Sequence, residues 1–178
     1  MRMLFSIDLH DYDPGAPVFI RPSARGIILR GGRIMMIHSR LLDYYKFPGG
    51  GIEAGEDHLT ALCREVQEEA SLRVKPETVR PYGQVHRIQK GHSEDVFVQD
   101  NYYYTCEAED EGGSPALEED EKEEQFVPVL VTPEEVIDVN LSKEHGGRTD
   151  DEHLQVMLHR ETTVVKMLVQ DGMFQPKR

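Results

Sequence analysis

The sequence predicts an α+β protein, an α/β/α sandwich whose mixed central sheet carries one helix on each face. Three observations lead there. Ile27–Leu29 and Ile34–Ile37 are apolar without alternation, the pattern of strands buried on both faces. A glycine-rich loop at 49–51 runs into an amphipathic helix that would cover one face. Leu154, Met157, Leu158, Val164, Val165 and Leu168, at near-helical spacing, mark a long final helix for the other face.

Taken in order, residues 2–7 read as a short edge strand and His10–Pro17 as a turn-rich linker. Ala24–Arg30 and Arg33–His38 flank Gly31-Gly32, the signature of a hairpin with a primed two-residue turn. Tyr45 and Phe47 alternate with Lys46 and so share a face, and Pro48 ends their strand. Gly49, Gly50 and Gly51 permit positive φ and close approach to a ligand. Gly55-Glu56-Asp57 gives a second bend and a helix start, and Leu59, Leu62, Cys63, Val66 and Ala70 form the expected buried stripe. Strands are expected over 79–88, 96–105 and 126–131, with a polar turn at 90–93. Tyr102, Tyr103 and Tyr104 fit packing better than base stacking, and His86, His92 and His153 lack metal-ligand spacing. Thr132-Pro133-Glu134-Glu135 is a capped helix start reaching to about Val139. Residues 142–148 read as a loop, and the final helix is expected from near Asp150.

A chain of 178 residues suits one domain over 1–178. Its net charge is −13, of which the acidic segment 107–124 holds −9, leaving −4 elsewhere. That segment is expected to be a mobile loop, and the balance argues against binding a nucleic-acid duplex. Cys63 and Cys106 read as reduced packing residues. No run approaches a membrane span and the apolar start is too short for a signal peptide, so a cytoplasmic protein is expected. A homodimer is left open.

Glu65, Glu68 and Glu69 share an arc of roughly 100° on the helix, beside its buried stripe. Like charges at i, i+4 cost about 0.2–0.5 kcal/mol per pair. Acids in a last turn oppose the helix dipole by about 0.3–1 kcal/mol. Local rules broken together point to function, and clustered carboxylates suit a hard cation such as Mg²⁺.

A glycine, five residues, Glu, seven residues, then Arg-Glu-aliphatic-x-Glu-Glu-x-x-aliphatic is the spacing of Gly50, Glu56, Arg64, Glu65, Val66, Glu68, Glu69 and Leu72. In these residues the chain resembles the Nudix hydrolases. Ser71 departs from the family pattern, which has glycine there, and this bears on how the helix ends.

The resemblance implies metal-dependent hydrolysis of a diphosphate bond in a nucleoside diphosphate linked to another moiety. It implies Mg²⁺ or Mn²⁺ held by Glu65, Glu68, Glu69 and the Gly49 carbonyl, with Arg64 orienting a glutamate and Glu56 in support. Many members place a further glutamate in the acidic segment as metal ligand or base. Glu121, Glu123 and Glu124 are candidates that nothing in the sequence separates, and Glu121 is taken first. Arg40, Tyr45 and Gly50 occupy positions that line the family's substrate cleft. The substrate itself stays open: the region Arg87–Lys90 carries neither the proline nor the tyrosine that marks known subfamilies, and Arg87 and Lys90 either meet phosphates or are solvated. The alternatives are a non-catalytic nucleotide-sugar sensor of the same fold and an acidic cation-binding domain with no phosphate substrate.

Overall fold

The computed structural model describes residues 1–112, 114–142, 145–147 and 151–175. In chain order its strands are β1 (Met3–Asp8), β2 (Val18–Ile20), β3 (Ser23–Ile27), β4 (Leu29–Arg30), β5 (Arg33–Ser39), β6 (Tyr44–Lys46), β7 (Gly49–Gly51), β8 (Leu72–Val74), β9 (Arg80–Gln89), β10 (Val96–Thr105), β11 (Ala108–Asp110) and β12 (Phe126–Val131). Its helices are α1 (His58–Ala70), α2 (Glu119–Glu123), α3 (Pro133–Asn140) and α4 (Glu152–Gln170).

The strands divide between two main sheets. One runs β1-β9-β10-β3-β7, with β2 also on β10; the other runs β12-β5-β4, with β6 on β5. The first is mixed, as expected: β1 is parallel to β9 and β10 to β3, while β9–β10 and β3–β7 are antiparallel. The expected hairpin is present, but the chain changes sheets at Ile28, so only Leu29–Arg30 pairs with β5. Its turn has φ of 56° at Gly31 and 75° at Gly32, the left-handed pair that a primed turn requires.

The two covers produce the sandwich. Helix α1 lays Ala61, Leu62, Val66 and Ala70 against Ala24 and Ile28. Gly26 allows this close approach, since a Cβ there would sit 3.2 Å from Val66 Cγ2. Helix α4 packs Val164, Val165 and Leu168 against Ile27, Phe47, Val85 and Tyr103, joined by Val136 of α3. Val164, Val165 and Leu168 are fully buried, and each such side chain contributes about 1.5–3 kcal/mol.

Several expectations need correction. Leu59 is 40 % exposed and Cys63 only half-buried; Ala61 takes the place beside Leu62 and Val66, so the stripe is rotated and includes Glu69. The triple glycine is a strand rather than a loop, because its backbone pairs with Ser23–Arg25. The acidic segment is not all loop: β11 pairs with β8, and α2 is a turn of helix with a reciprocal Glu118–Glu121 capping box. Of the final helix, the expected start at Asp150 lies outside the described residues. The described part begins at Glu152, where Asp151 accepts the Leu154 N–H at 3.1 Å. Residues 143, 144 and 148 of the expected 142–148 loop also lie outside them.

Ser71 answers the question its departure raised. Helix α1 ends there in the left-handed conformation, φ 52° and ψ 35°, with its N–H on the Gln67 carbonyl. The serine adopts the geometry glycine would, at a steric cost of about 1–2 kcal/mol. Ser71→Gly is therefore expected to stabilise the fold by roughly 1 kcal/mol, raising the thermal midpoint by about 2–4 °C in calorimetry. A midpoint lowered by the substitution would contradict this reading.

Candidate active site

The acidic face of α1 is organised by one arginine. Arg64 donates from Nε and Nη2 to the two oxygens of Glu56, at 3.0 and 2.9 Å. Its Nη1 reaches Glu65 at 2.7 Å and Glu68 at 3.2 Å, and its Nη2 also bonds the Gly51 carbonyl at 3.0 Å. The planar fork thus ties the strand before the helix to Glu56, just ahead of α1, and to two carboxylates on it. These bonds hold the Glu56 carboxyl below its ordinary value, Arg64 being the first cause. Burial raises Glu65 instead, with the Arg64 bond opposing and the charge of Glu69 adding to the rise.

Strand β6 brings the second basic group. Its side chains alternate, and because Phe47 is in the core, Tyr45 is there too: it is 6 % exposed, stacks on His38 and donates to Glu135 at 3.2 Å. Tyr45 therefore does not line the cleft; Tyr44 and Lys46 do. Lys46 Nζ lies 2.7 Å from Glu69 Oε1 and 3.9 Å from Glu121. The alternation Tyr44-x-Lys46 was the signal that would have found both. Arg40 is likewise not brought to the cleft: it is exposed in the turn after β5.

Glu121 sits beside Glu69, and burial with that neighbour pushes its carboxyl up to about 7. Glu124 lines the same cavity but holds the Tyr44 hydroxyl at 2.5 Å, and Glu123 lies elsewhere. Of the three candidates, α2 therefore turns Glu121 and Glu124 inward.

The glycines set the spacing of this wall. Gly49 has φ 137°, its N–H donates to Glu69 Oε2 at 2.9 Å, and a Cβ would strike the Ala24 carbonyl. Gly49 is therefore needed for β7 to lie against β3, while a Cβ on Gly50 would displace the Glu65 carboxylate from its place beside the strand. The Gly49 carbonyl already accepts from Arg25 Nη1 at 3.2 Å.

Arg21, Arg25, Gln99 and Arg160 line the same cavity as the acids, a space of about 290 Å³. Sequence reading missed all four. Arg160 and Glu161, on α4, form a pair buried to within 1 % of zero exposure. Arg160 donates to Glu161 at 2.8 and 2.7 Å, and Glu161 also accepts the Phe47 N–H at 2.7 Å and the Tyr103 hydroxyl at 3.1 Å. Burial raises the Glu161 carboxyl, but the charges of Arg160 and Arg25 outweigh it and leave it below its ordinary value.

The donor set fits a hard divalent cation. Glu65, Glu68, Glu69 and Glu121 present carboxylate oxygens to one cavity, with no thiolate or imidazole among them. Among the described residues no three such groups already stand at ligating geometry. Lys46 and Arg64 account for that, since each draws a carboxylate to itself.

Comparison with known proteins gives the family of the chain. The NUDIX domain model matches residues 20–154. The chain belongs to the NUDIX family and is a hydrolase acting on phosphorus anhydrides. Members of the family generally use divalent metal ions and act on small nucleotide derivatives. The fold is shared with the MutT protein of Bacillus halodurans, at 18% identity, TM-score 0.52, and coverage of 79% of this chain and 84% of that one. It is shared too with a NUDIX hydrolase from Nitrosomonas europaea (12% identity, TM-score 0.53, 80% and 90% covered). The Bacillus subtilis pyrophosphohydrolase BsRppH gives 24% identity, TM-score 0.50, and 86% and 84% covered. No curated protein matches. No described helix is long and apolar enough to cross a membrane.

Proposed function

We propose that the chain is a Mg²⁺- or Mn²⁺-dependent pyrophosphohydrolase that cleaves a diphosphate bond in a nucleoside diphosphate derivative. The observation that carries this reading is one cavity lined both by carboxylates from α1 and α2 and by Arg21, Arg25 and Arg160. Such a cleft suits a diphosphate that meets both a divalent cation and guanidinium donors.

Glu65, Glu68 and Glu69 would hold the cation, with Glu121 as a further ligand or as acceptor of the proton from the attacking water. When bound, the cation would offset phosphate charge and lower the pKa of water. Arg64 keeps the glutamate carboxylates aimed into the cleft, and Glu56 in turn holds Arg64. Lys46, beside Glu69 and Glu121, is placed to pass from carboxylate to phosphate oxygen as a negatively charged ligand enters. The Gly49 and Gly50 backbone, with no side chain in the way, lets the phosphates approach the strand. Arg21 and Arg160 would meet non-bridging oxygens as fixed donors.

The test is a panel of nucleoside triphosphates, nucleotide sugars and dinucleotides incubated with and without Mg²⁺ or Mn²⁺, with products identified by mass. Cleavage between phosphorus atoms that needs the cation is the expected result. Tight nucleotide binding with no product would instead favour the sensor alternative.

A further inference from the structure

Next to the acid-lined cleft, and sharing Arg21 and Gln99 with it, lies a second cavity of about 300 Å³. Its walls include Arg87 on β9, Phe97 on β10, Phe19 on β2 and His153 in the first turn of α4. Strand alternation puts Arg87 inside: Val85, Arg87 and Gln89 are all buried on one face of β9, where a continuing apolar row would be expected.

Arg87 is 6 % exposed and has no carboxylate partner among the described residues. Its Nε donates to Gln89 at 2.7 Å and its Nη2 lies 3.3 Å from His153 Nδ1, while its guanidinium carbon is 5.6 Å from the centre of the Phe97 ring. His153 Nδ1 also receives the Gln89 amide at 2.8 Å, so it acts as an acceptor and the ring is neutral. Every bonded partner of this cation among the described residues is thus uncharged, and among them its Nη1 has no acceptor. The nearby acids are committed elsewhere. Asp11 caps the Lys90 N–H, Asp151 caps the Leu154 N–H, and Glu94 accepts the Ser93 N–H.

The surroundings make matters worse for the charge. Burial first, then the neighbouring charges of Arg160 and Arg25, push the Arg87 guanidinium down to about 9, although the charges of Asp11 and Asp151 oppose the fall. Its buried neighbours include two more arginines, Arg25 and Arg160, and the buried Glu161 beside them is already held by Arg160. A buried cation is costly unless it is paired. An anion in the cavity would supply the missing charge, and the start of α4, with its positive dipole end, favours the same sign. Phe19 and Phe97 stack with ring centres 6.1 Å apart, and His92 stacks on His153 at 3.7 Å, so the polar floor has flat apolar sides.

We propose that this cavity is a subsite for a phosphate monoester carried by the non-reacting part of the substrate, with Arg87 as its charge partner and the Phe19–Phe97 pair as the wall for the group that bears it. The substrate is then a diphosphate whose linked moiety carries a further phosphate. Calling the ligand part of the substrate rests on the hydrolase reading; the anion site itself does not.

Two measurements separate these levels. Inorganic phosphate is titrated into the metal-free chain while the arginine Nε–H signals are followed by ¹H–¹⁵N correlation. The Arg87 signal should shift saturably with phosphate and not with chloride at equal ionic strength. Affinity should fall at least tenfold in Arg87→Gln. A wild-type Arg87 signal indifferent to phosphate, which needs no variant to fold, overturns the subsite, as does equal affinity in Arg87→Gln. In the second measurement, two diphosphate substrates are compared that differ only in a phosphate monoester on the non-reacting ribose. A lower KM for the phosphorylated one, lost in Arg87→Gln, is expected; equal KM values, or a preference that survives the substitution, overturn the substrate assignment. If neither is hydrolysed, the substrate assignment falls, the panel above decides the hydrolase reading, and the phosphate titration still decides the anion site.

Discussion

Glu161→Ala is expected to lower stability by about 3–5 kcal/mol, the cost of removing one partner from a buried ion pair. For a chain of this size that moves the thermal midpoint by roughly 10 °C or more. The magnitude follows from what the carboxylate holds together. It accepts Arg160 from α4, the Phe47 N–H from the end of β6 and the Tyr103 hydroxyl from β10, so one fully buried group joins three elements. Alanine would leave the Arg160 guanidinium buried against Arg25 and Arg87 with nothing to offset it. Glu161→Gln should fall between wild type and alanine, because the amide oxygen still accepts the Phe47 N–H. Denaturant titration checks the order; a loss under 1 kcal/mol in the alanine variant would mean the pair is replaceable by water.

The second large effect is on chemistry. Glu69→Gln should reduce cation-dependent turnover on the order of 10²- to 10³-fold, equivalent to several kcal/mol of lost charge stabilisation. The fold should persist, since the amide can still accept the Gly49 N–H and Lys46 keeps Glu121 within 3.9 Å. Stability should therefore fall by less than in Glu161→Ala, and this contrast separates a functional carboxylate from a structural one. Turnover equal to wild type at every Mg²⁺ concentration would remove Glu69 from the mechanism.

Much of this was legible beforehand because the governing signals are local. The Gly50–Leu72 spacing, the acid arc on α1, the Gly31-Gly32 turn and the apolar runs of β3, β5 and α4 all lie within a few residues of what they determine. The strands at 80–89, 96–105 and 126–131 likewise stand where their β-prone residues put them. Arg64, eight residues from Glu56 and four from Glu68 in sequence, bonds both of them.

What was not legible depends on partners distant in sequence. The triple glycine becomes a strand only because β3 lies beside it, and the short β2, β8 and β11 exist only through pairing with remote segments. Arg25, Arg160 and Glu161 look like ordinary charged residues until β3 and α4 meet at the end of the sheet. Tyr45 is a different case. Its shared face with Phe47 was visible, and following that alternation through would have placed Tyr45 in the core and Tyr44 and Lys46 in the cleft. The rotated stripe of α1 has the same moral, since Glu69 is drawn inward by Lys46 and the Gly49 N–H rather than by apolarity.

The central claim is that the carboxylates of α1 form a divalent-cation site in this cleft. A Mn²⁺ titration of the full chain, read by electron paramagnetic resonance and repeated on Glu69→Gln, tests it most directly. Saturable binding that Mg²⁺ competes away, weakened at least tenfold by the substitution, is the predicted result. Equal Mn²⁺ affinity in the two proteins, or no binding in the wild type, would contradict it.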